Sequence, residues 1–157
     1  MKIALTGDVM LGRAVNQVLG LDNFSYVWGN TKNALKKVDL AFVNLECVIS
    51  SKGRPIRRIP QMFHFRAQPA AINVLKAAGI DYVAIANNHA LDYEEEALLE
   101  MISLLKRNKI AFSGAGKNLR EAMQPAIVKK KSLQVAVIAL SDNWPQLAAT
   151  ENSRGVF

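Results

Sequence analysis

Short apolar runs alternate with segments of helical periodicity along most of this chain. The apolar runs of strand length lie at residues 2–6, 39–45, 82–86 and 110–113. The segments with apolar residues three and four positions apart lie at residues 12–19, 30–37, 69–78 and 93–108. Because strands that alternate with helices are typical of parallel sheets, the pattern predicts an α/β fold.

The segment 93–108 is the clearest predicted helix. Three glutamates occupy its first turn and basic residues gather at its end, which matches the helix dipole. Asp92 immediately precedes it and is either its N-cap or part of a site in the preceding loop. Gly79 closes the helix before it as a left-handed C-terminal residue.

The pattern in the last third of the chain predicts a β-hairpin followed by a loop. Residues 126–130 and 134–140 read as two strands joined by a polar turn at Lys131 and Ser132, and residues 144–157 read as a loop. Residues 114–117, Gly-Ala-Gly-Lys, suggest a phosphate-binding turn of a nucleotide-binding domain, although the full spacing of such motifs is missing. Residues 62–65 are predicted as a short strand.

Composition places the chain among ordinary globular proteins. Its 157 residues are 50% hydrophobic and 21% charged, which suits one domain and excludes a disordered or fibrous protein. One cysteine precludes an intramolecular disulfide. Neither a signal peptide nor an apolar run of membrane-spanning length is evident, so we predict a cytoplasmic location.

An excess of basic residues suggests an anionic partner. Lysine and arginine number 20 against 13 acidic residues, a formal net charge of +7. No acidic residue lies between Cys47 and Ile80, where the basic residues are Lys52, Arg54, Arg57, Arg58, Arg66 and Lys76. This segment is either a solvated loop or a collar for a phosphate- or carboxylate-bearing substrate. Few aromatic residues accompany it, so nucleic acid is not expected as a partner.

Polar residues follow three of the predicted strands. Asp8 ends the first strand, Asn44 and Glu46 end the second, and Asn88 and His89 follow the third. The carboxyl ends of parallel strands lie side by side, so these residues are expected to meet. Gathered carboxylates repel each other unless one is protonated or a cation binds, and oxygen ligands suit Mg or Mn. Each residue taken alone has a structural alternative, as a helix cap, a turn residue or a core histidine.

A nucleophilic cysteine is a further alternative. Cys47 adjoins Glu46, and His89 is available as a base, yet no acyl-transfer signature surrounds them. A small buried thiol is the favoured interpretation.

Three motifs carry a family resemblance. They are Gly-Asp-Val-Met-Leu-Gly-Arg at 7–13, Val-Asn-Leu-Glu at 43–46 and Ala-Asn-Asn-His-Ala-Leu-Asp at 86–92, with weaker matches at 65–67, 114–116 and 138–145. In this order they resemble the capsule synthesis protein family of the CapA type. That family is associated with bacterial poly-gamma-glutamate capsule production and is similar to the calcineurin-like metallophosphoesterases.

The resemblance implies a metal-dependent hydrolase acting on a phosphoryl or related anionic substrate. It implies that Asp8, Glu46 and Asn88 bind a divalent metal, which is Mn, Mg, Fe or Zn, and that His89 is the catalytic acid. The residues that face or support the substrate would be Arg13, Asn44 and Arg66. It also implies a sandwich of two sheets flanked by helices.

Two departures from the superfamily affect this expectation. Met10 stands where many metallophosphoesterases have their first histidine ligand, and this chain has only His64 and His89. We therefore expect residues 1–157 to be the N-terminal portion of a single domain whose C-terminal half is separate or missing. Such a half-domain is expected to expose apolar sheet surface and self-associate. The alternative is a non-catalytic remnant or a binding module for an anionic polymer.

Overall fold

Helices and strands alternate along the chain much as the apolar pattern predicts. The computed structural model describes residues 2–19 and 23–157. In chain order the elements are β1 (Ile3–Val9), α1 (Arg13–Val18), α2 (Thr31–Leu35), β2 (Leu40–Leu45), β3 (Val48–Ile49), β4 (Arg66–Ala67), α3 (Ile72–Ala78), β5 (Tyr82–Ala84), α4 (Glu94–Arg107), β6 (Ala111–Ser113), β7 (Ala115–Gly116), α5 (Leu119–Ala122), β8 (Ala126–Lys130), β9 (Leu133–Val137) and β10 (Gly155–Val156). Short 3-10 turns lie at Tyr26–Trp28, Pro69–Ala71 and Pro145–Leu147.

A four-stranded parallel sheet in the order β1-β2-β5-β6 forms the centre of the fold. Asp8 is the register partner of Asn44, and Asn44 is the partner of Ala84, so three strands end at the same edge. The register shifts between Leu5 and Asp8, where Gly7 has a φ of 74° that suits glycine. The predicted α/β class is confirmed.

The two faces of the sheet are covered by different layers. On one face, β2 packs Val43 and Leu45 in a core shared with Leu75 of α3 and Leu98 of α4. On the other face, Leu40 and Phe42 of β2 and Tyr82 of β5 pack against the β8–β9 hairpin through Ala126 and Val128. Alternate residues of a strand point to opposite faces, which explains why β2 is buried on both. These layers are consistent with a partial sandwich.

Two ion pairs tie the hairpin to the amino ends of the sheet strands. Lys131 Nζ lies 2.8 Å from Asp39 Oδ1, and Lys130 Nζ lies 3.0 Å from Asp81 Oδ1. The hydrogen bond from Lys131, joined by one from the backbone N–H of Lys2, lowers the pKa of Asp39 to about 2. The hairpin is therefore fixed at the end of the sheet opposite to the strand-end polar residues.

The β8–β9 hairpin covers only part of its side of the central sheet. Ile3 and Leu5 are the register partners of Leu40 and Phe42, yet they are 37% and 78% exposed. Ile138 and Leu140, which follow β9, are 58% and 69% exposed. Apolar surface is thus exposed on this side of the protein, while the half-domain and its self-association stay predictions.

Three predicted details are corrected by the structure. Residues 62–65 are not a strand, because the backbone N–H of Phe65 donates to the Asp92 side chain instead of to a neighbouring strand. Asp92 is not the N-cap of α4, since Tyr93 holds that position without a side-chain cap bond. Residues 144–157 are not entirely loop, because β10 pairs with β7.

Within the described ranges, no helix is both long enough and apolar enough to cross a membrane. The predicted cytoplasmic location is a separate matter and stays a prediction.

Truncation of a buried leucine of α4 should destabilise the protein far more than truncation of an exposed leucine. Leu98 is fully buried and Leu140 is 69% exposed. Leu98→Ala should lower the free energy of unfolding by about 2–5 kcal/mol because it leaves a cavity. Leu140→Ala should change it by no more than about 0.5 kcal/mol. Urea denaturation followed by circular dichroism measures both, and similar losses for the two variants would contradict this packing.

Candidate functional site

The strand-end polar residues lie on the hairpin side of the sheet, beyond the part that the hairpin covers. Asn44 follows Phe42 by two residues, so its side chain is on the same face of β2. Asp8 pairs with Asn44 across the neighbouring strand, and Glu46 lies two residues further along. Parallel pairing and strand alternation together therefore bring these three side chains into contact.

Asn44 joins the two carboxylates. Its Nδ2 donates to Asp8 Oδ1 at 2.9 Å and to Glu46 Oε2 at 2.6 Å. One amide nitrogen has two hydrogens, so both are used on carboxylate oxygens. These bonds offset part of the repulsion between two like charges held at one strand edge.

Asn87 fixes the orientation of Asn44 and anchors the loop that follows β5. Its Nδ2 donates to Asn44 Oδ1 and to the backbone oxygen of Leu45, both at 2.9 Å. Its Oδ1 accepts from the backbone N–H of His89 at 3.0 Å. Asn87 is 5% exposed and every polar atom of its amide is bonded to protein, so its role is structural. Asn87 belongs to the motif at 86–92, but the sequence pattern did not predict this role.

His89 lies between two carboxylates and is almost fully buried. Its Nδ1 is 2.7 Å from Asp92 Oδ2, and its Nε2 is 3.8 Å from Glu46 Oε1. Because a carboxylate only accepts hydrogen bonds, this contact favours a proton on Nδ1, and Nε2 faces the strand-end cluster. The Phe65 ring stacks on the imidazole with centroids 4.1 Å apart.

Asp92 is completely buried and belongs to the site rather than to the helix cap. Besides His89, its carboxylate accepts from Gln61 Nε2 and from the backbone N–H of Phe65. A buried carboxylate needs such donors to remain charged. Gln61 was missed by sequence reasoning, because one glutamine in an irregular segment carries no pattern.

The basic segment is partly packed and partly exposed. Ile56 and Ile59 are buried, and the backbone N–H of Ile56 donates to the backbone oxygen of Asp92 at 2.9 Å. Arg58 pairs with Glu95 at 2.7 Å. The segment is therefore more than a solvated loop, since it lies against the residues that follow His89.

The two predicted substrate-facing arginines lie against different aromatic rings. Arg13 has a φ of 54°, and its guanidinium lies 5.3 Å from the centroid of the half-exposed Phe63 ring, which in turn stacks with Phe65. Non-glycine residues in this region of φ are uncommon and concentrate at functional sites. The Arg66 guanidinium instead lies 4.0 Å from the centroid of the Tyr93 ring. A contact of Arg66 with substrate stays a prediction.

Two of the three predicted metal ligands, Asp8 and Glu46, are brought together by the structure. Asp8 and Glu46 meet on Asn44, while Asn88 Oδ1 accepts from Asn143 Nδ2 at 3.2 Å. Across the described residues, no group of three or more His, Cys, Asp or Glu side chains has metal-binding spacing. The two carboxylates fit a hard cation such as Mg, which commonly uses one or two carboxylates and keeps several waters.

The glycine-rich turn packs against α5 instead of presenting its backbone N–H groups as an open cradle. The backbone N–H of Lys117 donates to Glu121 Oε2 at 3.2 Å. A Cβ placed on Gly116 would lie 2.5 Å from the Cβ of Glu121, so the turn packs directly against α5. The structure therefore gives no support to a nucleotide-binding domain built on residues 114–117.

Cys47 is a structural thiol. It is fully buried, and the backbone N–H of Leu11 donates to its Sγ at 3.4 Å. Burial raises the pKa of the thiol to about 12, so it is neutral at physiological pH. The burial and the raised pKa both argue against the cysteine-nucleophile alternative.

A parallel sheet with polar side chains gathered at its carboxyl edge defines an α/β protein, and this edge is where such folds commonly bind ligands. The family described as "Bacterial capsule synthesis protein PGA_cap" matches this chain over residues 2–156. The chain belongs to this family.

Curated relatives carry related names. The capsule biosynthesis protein CapA of Bacillus anthracis is 24% identical over 89% of this chain and 34% of that protein. A probable polyglutamine synthesis accessory protein of Mycobacterium tuberculosis is 28% identical over 97% of this chain and 49% of that protein. The PGA biosynthesis protein CapA of Bacillus subtilis is 22% identical over 98% of this chain and 41% of that protein. The chain thus spans about a third to a half of the length of these relatives.

The burial of Cys47 predicts a protected thiol. In native buffer at neutral pH, an aromatic disulfide reagent should release almost no chromophore, and unfolding in guanidinium should expose one reactive thiol per chain. Because the chain has a single cysteine, no second thiol confuses the count. Rapid labelling of the native protein would contradict the burial and restore the nucleophile alternative.

Proposed function

We propose that this chain supplies the strand-end part of a metal-dependent hydrolytic site that acts on a phosphoryl or related anionic substrate in capsule or poly-gamma-glutamate synthesis. The observation that carries this proposal is the meeting of Asp8 and Glu46 on the Asn44 amide, with His89 Nε2 3.8 Å from Glu46 Oε1. Carboxylates and an imidazole at one edge of a parallel sheet are the groups that such chemistry requires.

The metal-binding residues in this proposal are Asp8, Glu46 and Asn88. A divalent metal bound there would supply polarisation of a phosphoryl oxygen or activation of a water molecule. The oxygen-rich donor set favours Mn or Mg, whereas Zn or Fe would need further imidazole ligands. Asn44 supports the site by holding both carboxylates toward one another.

His89 is the proton donor to the leaving group in this proposal. Asp92 engages Nδ1 at 2.7 Å, which leaves Nε2 as the nitrogen that faces the substrate side. Asp92 also stabilises the imidazolium from which Nε2 donates its proton. Arg13 would bind the substrate anion, because its guanidinium is exposed near the same aromatic stack.

Activity is proposed to require a further polypeptide segment. The relatives are about two to three times as long as the region they share with this chain. We propose that a C-terminal half, encoded separately or within a longer chain, contributes the remaining ligands. The M. tuberculosis relative is described as an accessory protein, which suits a component that works together with others.

A binding module for an anionic polymer is the second candidate function. The chain has a formal net charge of +7, and Arg54 and Arg57 are exposed on the segment that lies near the site. Binding of this kind should weaken steeply with salt and be indifferent to metal. Hydrolysis by the site should instead require the metal.

A thermal melt with and without Mn tests the metal site in the chain as it stands. At about 100 times its dissociation constant, a ligand that binds only the folded state adds roughly 2.7 kcal/mol of stability. We expect Mn to raise the melting midpoint of the wild-type chain, and Asp8→Ala to abolish the rise.

The matched control is Glu151→Ala, which removes an exposed carboxylate that has no part in the proposed site. It should keep the full response to Mn. If the wild-type chain melts cooperatively at the same midpoint with and without Mn, the metal proposal fails and the polymer-binding candidate is favoured.

A further inference from the structure

The buried carboxylate of Asp92 is held by three donors from two parts of the chain. His89 Nδ1 and the backbone N–H of Phe65 both bond to Oδ2, and Gln61 Nε2 bonds to Oδ1. Asp92 has no exposed surface, so water does not replace any of these partners. The orientation of the carboxylate therefore depends on all three.

The neighbours of Gln61 determine which way its amide points. Nε2 donates to the backbone oxygen of Phe63 at 3.0 Å as well as to Asp92 Oδ1. The opposite orientation would turn the amide oxygen toward these two acceptors and create repulsion. The adopted orientation leaves Oε1 buried without a hydrogen-bond partner among the described residues. A buried polar atom without a hydrogen bond costs free energy. The local arrangement therefore leaves Gln61 Oε1 unbonded in order to direct Nε2 to the Asp92 carboxylate.

Gln61 also limits the choices open to His89. Its Nε2 lies 3.2 Å from His89 Nδ1, but both amide hydrogens are already used on oxygen acceptors. With a proton on Nε2 of His89 instead, the Nδ1 lone pair would face the Asp92 carboxylate at 2.7 Å and repel it. The contacts around Asp92 thus favour one tautomer, with the proton on Nδ1.

We propose that Gln61 is a positioning residue, which fixes the Asp92 carboxylate and thereby holds His89 in the Nδ1–H tautomer with Nε2 directed toward Glu46. The inference rests on the proposed function only in making His89 the proton donor, because Nε2 of this tautomer first takes up a proton and donates it from the imidazolium. The Phe65 ring, stacked on the imidazole at 4.1 Å, restricts its rotation from one side. Gln61 and Phe65 belong to one segment, so that segment sets the state of the proton donor.

Nitrogen NMR of the two histidines tests this inference without any activity assay. Long-range proton–nitrogen spectra of the metal-free chain at about pH 9, well above the ordinary imidazole pKa, distinguish the two neutral tautomers. His64 and His89 are the only histidines, so His64 is an internal reference. We expect wild-type His89 to be almost entirely Nδ1–H. Gln61→Met, which keeps length but removes both polar atoms, should give a mixture of tautomers at His89 and leave the tautomer of His64 unchanged.

The matched control is Gln134→Met on β9, where an exposed glutamine lies on the hairpin and away from the strand-end site. It should leave both histidines unchanged. An Nε2–H tautomer in the wild-type chain, or an unchanged His89 in folded Gln61→Met, would overturn the inference.

If Gln61→Met does not fold, a measurement on the wild-type chain alone tests the inference. The Gln61 side-chain amide protons should exchange slowly with solvent and show proton–proton contacts to the His89 ring. Fast exchange with no such contacts would overturn the inference. Because these spectra use no metal or substrate, a positive result together with an absent Mn effect would retain the positioning role and reject the metal-dependent function.

Discussion

Two carboxylates that share a single side-chain amide create the constraint on which this site depends. Asp8 and Glu46 come from neighbouring strands, and both accept from Nδ2 of Asn44. Those bonds offset part of the repulsion between like charges at one strand edge. Asn44 Oδ1 in turn accepts a hydrogen bond from Asn87 Nδ2, and Asn87 Oδ1 accepts one from the backbone N–H of His89. The positions of β1, β2 and the loop after β5 are therefore coupled through one asparagine.

A second buried charge organises the opposite side of His89. Asp92 lies completely out of solvent and takes its donors from His89 and from the segment that ends at Phe65. That long segment costs only modest loop-closure entropy, and its buried Ile56 and Ile59 help to offset it. The imidazole is consequently directed from both sides, with Asp92 at Nδ1 and Glu46 beyond Nε2.

Local pattern was enough to predict the sheet and the residues at its edge. Apolar runs and helical spacing located the four central strands and the long helix α4, and parallel order then required Asp8, Asn44 and Glu46 to meet. The hydrogen bond between Gln61 and Asp92 and the burial of the Asp92 side chain could not be predicted this way. Both depend on contacts between segments about 30 residues apart in sequence. The same holds for β3 and β4, which are two residues each and pair only because the intervening loop brings them together.

The central claim is that the carboxylate pair on Asn44 is a cation site, and calorimetric titration of Mn into the metal-free chain tests it most directly. The account predicts saturable binding at a single site, which Glu46→Gln removes and Glu151→Gln retains. The Glu46→Gln change keeps the side-chain shape but loses the negative charge, so lost binding would report on the charge. Absence of binding by the folded wild-type chain, or unchanged binding by Glu46→Gln, would contradict the account.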